Sequence, residues 1–166
     1  MGAPATILLW KDPAKNQAPA PELCCYLLPG KMKRPAVLVI PGGGYGGVCE
    51  ATEGEPIARK FNELGFHAFV LHYRVAPHRF PEPQEDVFRA IRLIRANAGK
   101  WCVIPDQLAV CGFSAGGHLA ASAGTLYGEI HADAGDEADS QEMRPNALIL
   151  CYPVISFTDF PHLGSG

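Results

Sequence analysis

The sequence lacks the features that mark zinc-binding, membrane-spanning and nucleic-acid-binding proteins. Its six cysteines form no C-x-x-C pair, and no histidine stands at zinc-ligand spacing from them. No apolar run approaches the ~20 residues of a membrane span. The formal net charge of −3 does not favour nucleic acid or an anionic membrane, because both recruit clustered Lys and Arg. We therefore expect no metal and no other cofactor, and the expected partner is a small molecule.

The first 15 residues show no pattern of a secretory leader. They hold one short apolar run, at 7–10, with no basic stretch before it. Cys111 and Cys151 lie within apolar runs typical of strands, where a cysteine acts as a small buried hydrophobe. Both observations favour an unsecreted, cytoplasmic protein in a reducing compartment.

Basic residues are scarce in the last third of the chain. Residues 1–100 carry a formal charge of +4, whereas residues 101–166 carry −7 and a single base, Arg144. The spacing of the acids between 129 and 142 matches no EF-hand calcium loop, so it predicts a solvated surface loop. The six acids are Glu129, Asp133, Asp136, Glu137, Asp139 and Glu142.

What is present suffices for one folded domain, since 48% of the 166 residues are hydrophobic. Residues 1–35 are expected to add edge strands, at 7–10 and 23–28, to a sheet core over 36–166. From residue 36 onward, short apolar runs alternate with helical periodicity, which predicts an α/β fold with a mostly parallel sheet and helices on both faces. The predicted strands are 36–40, 66–72, 108–112 and 147–151, and the predicted helices are 53–64, 83–98 (ended by Gly99) and 115–127.

The strongest chemical motif is G-F-S-A-G at 112–116, a G-x-S-x-G sequence between a buried strand and a helix. A nucleophilic Ser114 needs this context, because its hydroxyl must stand on a tight turn above the sheet. The backbone N–H of Ala115, at the head of the helix, would then face an oxyanion on the substrate. An ordinary glycine-rich turn is the alternative, and the correct flanks favour the nucleophile.

A second motif, P-G-G-G-Y-G-G at 41–47, directly follows the first predicted core strand. Consecutive glycines there free main-chain N–H groups, and acyl transfer needs such donors. A phosphate-binding loop is excluded on detail, since the sequence fits neither G-x-x-x-x-G-K-[ST] nor G-x-G-x-x-G.

These motifs together resemble the acetylxylan-esterase-like branch of the α/β-hydrolases, which is related to the hormone-sensitive-lipase-like carboxylesterases. The resemblance rests also on H-Y-R-V-A-P at 72–77, Asp86, and C-Y-P-V-I at 151–155, and it runs from about residue 36 to the end. Pro41 stands where that family more often has His. The resemblance implies an oxyanion hole of Gly43, Gly44 and Ala115, and acetylated sugars or other short-chain esters as substrates.

The resemblance also implies a structural role for Arg74 and Asp86 beneath the site. Tyr45 is a candidate lining residue of the acyl pocket, with a packing role equally open. His118 follows Ser114 by four residues along one helix face, so we expect a packed structural histidine. His67, His72 and His78 are expected to be structural or surface residues, and Trp10 and Trp101 to belong to the core.

The catalytic acid and histidine are expected to follow Ser114 in that order, after later strands than this sequence contains. The pair Asp159 and His162, or His131 with the loop acids, is not expected to reach Ser114. The expected domain is thus an α/β-hydrolase fold lacking its C-terminal strands. Three hypotheses stay open: an esterase completed by another part of the molecule, an inactive fragment that binds a complementary fragment or a second copy, and a peptidase or acyltransferase on the same fold.

Overall fold

A six-stranded sheet forms the centre of the protein, and the computed structural model describes residues 4–156 of it. Strands β3, β4, β5 and β6 run parallel, while β1 and β2 pair antiparallel at one side, in the order β1-β2-β4-β3-β5-β6. The strands are β1 (Ala5–Leu8), β2 (Glu22–Tyr26), β3 (Arg34–Ile40), β4 (His67–His72), β5 (Val103–Phe113) and β6 (Ala147–Cys151); the helices are α1 (Glu55–Glu63), α2 (Glu82–Ala96), α3 (Ala98–Trp101) and α4 (Ala115–Thr125).

Helices cover both faces of the sheet, as the alternation of strand and helix patterns predicts. Helix α1 packs on one face, where Ala58 meets Val39 and Val70. Helices α2 and α4 pack on the other, against alternate residues of the same strands. The run at 36–40 is buried throughout, since the central strand β3 has strands on both sides and helices on both faces. None of the helices in the described part of the chain is long and apolar enough to cross a membrane.

One predicted helix end is wrong. Gly99 does not stop the second helix; α2 ends at Ala96, and Gly99 lies inside the short helix α3. The left-handed residue that ends α3 is Cys102, with φ of 56°. Gly99 has no positive φ, and a Cβ added there would meet no neighbouring atom. Such a glycine can lie inside a helix, so its presence alone does not mark a helix end.

Part of the acidic stretch is bound to α2, which corrects the expectation of a solvated loop for Asp136 and Asp139, both partly buried, while Glu129, Glu137 and Glu142 are exposed as expected. Arg89 is 1% exposed and holds Asp136 with two hydrogen bonds, of 2.9 and 2.6 Å. Arg92 donates to Asp133 at 2.8 Å. The charge asymmetry of the sequence thus has a structural cause, because the arginines of α2 need anionic partners once the loop covers them.

A second buried ion pair joins the N-terminal segment to the sheet. Asp86 is fully buried and accepts hydrogen bonds from the backbone N–H and Nε of Arg74 and from Nε1 of Trp10, at 2.8, 3.0 and 2.7 Å. Trp10 is a core residue, as expected, and its indole N–H also satisfies a buried carboxylate. Trp101 is half-buried and packs against Phe69, with ring centroids 5.3 Å apart.

Helix α4 lies close to the sheet because glycines form the contact. A Cβ on Gly116 would stand 2.1 Å from the carbonyl oxygen of Ile40 and 2.5 Å from that of Pro41. A Cβ on Gly112 would stand 2.1 Å from the carbonyl oxygen of Gly116. Only hydrogen fits at these two positions, so α4 is fixed against the end of β3.

Strand β6 is the outer parallel strand and is only partly covered, although α4 packs against one of its faces. Leu148, Ile149 and Leu150 are each 39–40% exposed. Its pairing with β5 is regular from Ala147 to Cys151. This strand therefore presents an apolar edge among the described residues.

The Arg89–Asp136 contact yields a stability prediction. Asp136→Asn should lower the free energy of unfolding by about 3 kcal/mol at pH 7, because it leaves the buried guanidinium without its bidentate anion. Glu129→Gln, at an exposed acid of the same loop, should have little effect. Urea unfolding of the three proteins measures this, and equal losses in both variants would contradict it.

The same pair predicts a pH dependence. Arg89 lowers the pKa of Asp136 well below its usual range. A carboxylate with a depressed folded pKa contributes stability above its unfolded pKa of about 4 and loses it as pH falls. The difference in unfolding free energy between the native protein and Asp136→Asn should therefore shrink as pH drops below about 4, and a constant difference would argue against the ion pair.

The close packing of α4 predicts the effect of one added methyl group. Gly116→Ala should destabilise the fold by about 3 kcal/mol, since the methyl group meets two backbone carbonyls that cannot rotate away. Gly99→Ala, where nothing lies within 4 Å, should leave stability unchanged or raise it by up to about 1 kcal/mol. Thermal unfolding of both variants tests the contrast.

Candidate active site

Ser114 stands at the junction of β5 and α4 in a strained backbone conformation. Its φ is 52° and its ψ is −117°, a combination that non-glycine residues adopt only where the surroundings impose it. Its N–H donates to the carbonyl of Cys151, and its carbonyl accepts from the N–H groups of His118 and Val154. These bonds hold the residue at the carboxyl end of the parallel strands, where such sheets place their sites.

The loop after β3 lies directly beside Ser114. A Cβ on Gly42 would stand 3.0 Å from the Cβ of Ser114. The two backbones are therefore so close that a side chain at position 42 would crowd the serine. Gly43 and Gly44 follow with φ of 134° and 60°, in the region that favours glycine. The hydrogen bond from Gly46 N–H to the Gly43 carbonyl closes this turn.

Three backbone N–H groups around this turn have no acceptor among residues 4–156. They belong to Gly43, Gly44 and Ala115. Ala115 is the first residue of α4, and the first N–H groups of a helix have no partner within it. Gly43 directly follows Gly42, whose backbone approaches the Ser114 side chain, and Ala115 directly follows Ser114, so these donors belong to the two turns that meet at Ser114.

Sequence reasoning missed Glu53. Its Oε2 accepts the N–H of Gly42 at 2.7 Å, and its Oε1 accepts the hydroxyl of Tyr152 at 2.8 Å. Glu53 belongs to a π-helical turn, Glu50–Gly54, that precedes α1. A glutamate in the first turn of a predicted helix is expected to interact with the helix dipole. Nothing in the sequence therefore indicated that Glu53 binds a loop residue 11 positions earlier.

Tyr45 packs over the site and is bound to His118. Its hydroxyl forms a short hydrogen bond with His118 Nδ1, and its ring meets that of Tyr73 edge to face at 6.1 Å. Burial lowers the pKa of His118 and raises the pKa of Tyr45, so burial favours the uncharged form of both partners. Tyr73 in turn donates to the Pro41 carbonyl at 2.9 Å. The side chain of Tyr45 is therefore held in place beside the glycine turn.

Within residues 4–156, no side chain hydrogen-bonds to the Ser114 hydroxyl. His131 is exposed, and the loop acids Asp133 and Asp136 are bound to arginines of α2. Asp159 and His162 lie outside the described residues. The described part of the chain therefore brings no imidazole to the serine.

The other histidines have partners elsewhere. His67 is buried and accepts the N–H of Leu28 at Nδ1, and His78 pairs with Glu82. His72 lies beside two glutamates and a cysteine. This last group, with Glu22 and Cys24, is the one arrangement in residues 4–156 that has the donor atoms and proximity of a metal site, and it lies apart from Ser114 on β2 and β4.

Several proteins are similar to this chain. An endo-1,4-β-xylanase B of Butyrivibrio fibrisolvens is 39% identical over 87% of the chain, which spans 23% of that protein. An acetylxylan esterase of Xylanibacter ruminicola is 33% identical over 83% of the chain, which spans 26% of that protein. The chain thus covers about a quarter of each relative's length.

A solved structure agrees over almost the whole chain. The acetyl ester-xyloside bifunctional hydrolase of Caldicellulosiruptor lactoaceticus is 38% identical, with a TM-score of 0.89 over 99% of this chain and 62% of that one. An α/β-hydrolase from a deep-sea metagenome library is 36% identical, with a TM-score of 0.74. The expected α/β-hydrolase fold is thereby confirmed. Because the BD-FAE family model also matches residues 25–165, the chain belongs to the BD-FAE family of α/β-hydrolases.

Proposed function

We propose that the protein is a serine hydrolase of carboxylic esters with Ser114 as its nucleophile. The observation that carries the proposal is the strained serine set among three backbone N–H groups that lack acceptors. A backbone strain of this kind costs on the order of 1–3 kcal/mol and persists where a function requires it. A glycine-rich turn with a purely structural role would not need a serine in this strained conformation.

In the proposed reaction, Ser114 Oγ attacks the acyl carbon of the ester. The negative charge that forms on the carbonyl oxygen is stabilised by the N–H groups of Gly43, Gly44 and Ala115, which need no reorientation. The alcohol leaves with a proton, and the acyl group stays on Ser114 as an ester. Water then attacks this acyl-enzyme, releases the acid and restores the hydroxyl.

The proposed substrates are acetyl esters of sugars, including xylo-oligosaccharides. Support comes from two relatives, one named an acetylxylan esterase and the other an acetyl ester-xyloside hydrolase. The position of Tyr45 agrees with a short acyl group, because its ring is held beside the glycine turn by Tyr73 and His118. Peptide and thioester substrates should turn over much more slowly than acetyl esters.

We further propose that the catalytic acid and histidine come from outside residues 4–156. No imidazole in that range forms a hydrogen bond with the Ser114 hydroxyl, and the solved hydrolase is longer than this chain. The apolar edge of β6 supports the same proposal, since another strand could pair there. A second copy of the chain could also occupy this edge. The thiols, all unpaired in the described part, agree with a reducing cytoplasm.

The nucleophile is tested with a fluorophosphonate probe and p-nitrophenyl acetate. The protein expressed at the full natural length of its gene should be labelled at Ser114 and should hydrolyse the acetate. Ser114→Ala should abolish labelling and lower kcat by at least about 10³-fold. Ser122→Ala, in the same helix but bonded to the His118 carbonyl, should keep both activities. Labelling that survives in Ser114→Ala would sink the proposal.

A second prediction concerns Glu53, which we propose positions the glycine turn. Glu53→Gln replaces a charged acceptor of the Gly42 N–H, so the turn should be held less firmly beside Ser114. We expect kcat for p-nitrophenyl acetate to fall about 10-fold with KM little changed. Glu63→Gln, an exposed acid at the end of α1, serves as the control. A loss confined to thermal stability would show that Glu53 is only structural.

A further inference from the structure

Strands β2 and β4 bring together three metal-ligating side chains that are distant in the sequence. Glu22 lies directly opposite His72 in the antiparallel register, and Cys24 follows Glu22 by two residues, so all three point to the same face of the sheet. One donor atom from each lies within 4.8 Å of the others. Sequence spacing could not show this group, because the histidine comes 48 residues after the cysteine along the chain and is brought back by strand pairing.

The separation between Glu22 and His72 suits a tetrahedral zinc ion, and the thiol of Cys24 lies within 4.8 Å of both. Zinc binds thiolate sulfur at about 2.3 Å and imidazole nitrogen or carboxylate oxygen at about 2.0–2.2 Å, which places neighbouring ligand atoms roughly 3.3–3.7 Å apart. The Oε1 of Glu22 lies 3.3 Å from Nδ1 of His72. The three residues stand on paired strands, so small side-chain movements suffice to complete the geometry.

A fourth residue, Glu50, fixes the orientation of the histidine. Its Oε2 lies 2.8 Å from Nε2 of His72, on the side of the ring away from Glu22. A proton on Nε2 leaves the lone pair of Nδ1 directed at Glu22 and Cys24. A carboxylate that accepts from the outer nitrogen of a metal-bound histidine is the usual companion of such ligands.

Glu50 is itself held in place. Its Oε1 accepts the N–H of Glu55 at 3.0 Å, and its carboxylate lies where a Cβ on Gly54 would stand, 2.1 Å away. Gly54 is buried, so the carboxylate depends on a glycine for its position. This fixed arrangement distinguishes Glu50 from a freely rotating surface acid.

A protonated His72 between two carboxylates would explain the glutamate contacts without a metal. It would not explain the thiol, because Cys24 adds no charge to such an ion pair. Among residues 4–156, the Sγ of Cys24 forms a hydrogen bond with the hydroxyl of Thr6, at 3.6 Å on the neighbouring strand β1. A soft donor beside an imidazole and a carboxylate is a ligand set that favours zinc.

We propose that Glu22, Cys24 and His72 bind a zinc ion, with Glu50 orienting His72. The thiol loses its proton to solvent when the ion binds. The side chains of Glu22 and His72 are about one third exposed, so water takes the fourth position. The ion would join β2 to β4 and restrain the turn Glu50–Gly54, which also carries Glu53.

Cobalt(II) serves as the spectroscopic probe, because a cysteine thiolate bound to it gives a near-ultraviolet charge-transfer band. Titration of the metal-free protein should produce this band with one equivalent of cobalt, and zinc should abolish it. Cys24→Ser should remove the band, and Glu22→Gln and His72→Gln should weaken cobalt binding at least about 10-fold. Cys49→Ser, at the exposed cysteine that precedes Glu50 and is not a proposed ligand, should leave the band intact.

Thermal unfolding provides a second readout, which does not depend on the cobalt charge-transfer band. Zinc at a hundredfold excess over its Kd should raise Tm by roughly 5–10 °C in the native protein and in Cys49→Ser. At the same zinc concentration the rise should fall to about half or less in Glu22→Gln, whose side chain lies at the partly exposed rim and whose folding can be verified by circular dichroism. A missing charge-transfer band in the native protein, or one that persists in Cys24→Ser, would overturn the proposal.

Discussion

The contact between Gly116 and the carbonyl oxygens of Ile40 and Pro41 is the constraint on which the rest of the site depends. It fixes the start of α4 against the end of β3, so the turn before the helix and the turn after the strand meet. Ser114 ends one of these turns and Gly42 begins the other. The parallel pairing of β3 with β5 brings both turns to the same end of the sheet. The missing side chains of Gly112 and Gly116 allow the two turns to approach each other closely.

The sequence was sufficient to predict the order of the core elements and the α/β-hydrolase fold. The strands at 36–40, 66–72 and 147–151 could be predicted because each is a short, largely apolar run near turn residues. Local patterns were less informative at helix ends. Gly99 looked like a stop and Cys102 did not, because the left-handed conformation at Cys102 is imposed by the turn into β5 rather than by the residue itself.

Contacts between distant segments were not predictable from one sequence. The acidic loop looked solvated because its partners, Arg89 and Arg92, stand more than 40 residues earlier, on a helix face whose polarity suggested exposure. Glu53 and the group around His72 were missed for the same reason. The glycine turn and Ser114 were recognised as candidates because each is a short motif whose backbone requirements are visible locally; their catalytic roles stay predictions.

Arg89 has a consequence for how the molecule folds. Its Nε donates to the carbonyl of Leu9, and its two Nη atoms hold Asp136, so one side chain joins the N-terminal segment, α2 and the acidic loop. Burial of the guanidinium is favourable only when all these acceptors are in place. Leu9 lies 80 residues before Arg89 in the chain, and Asp136 lies 47 residues after it. Two long loops must close before this centre is complete, which slows the search for the native state and makes its loss cooperative.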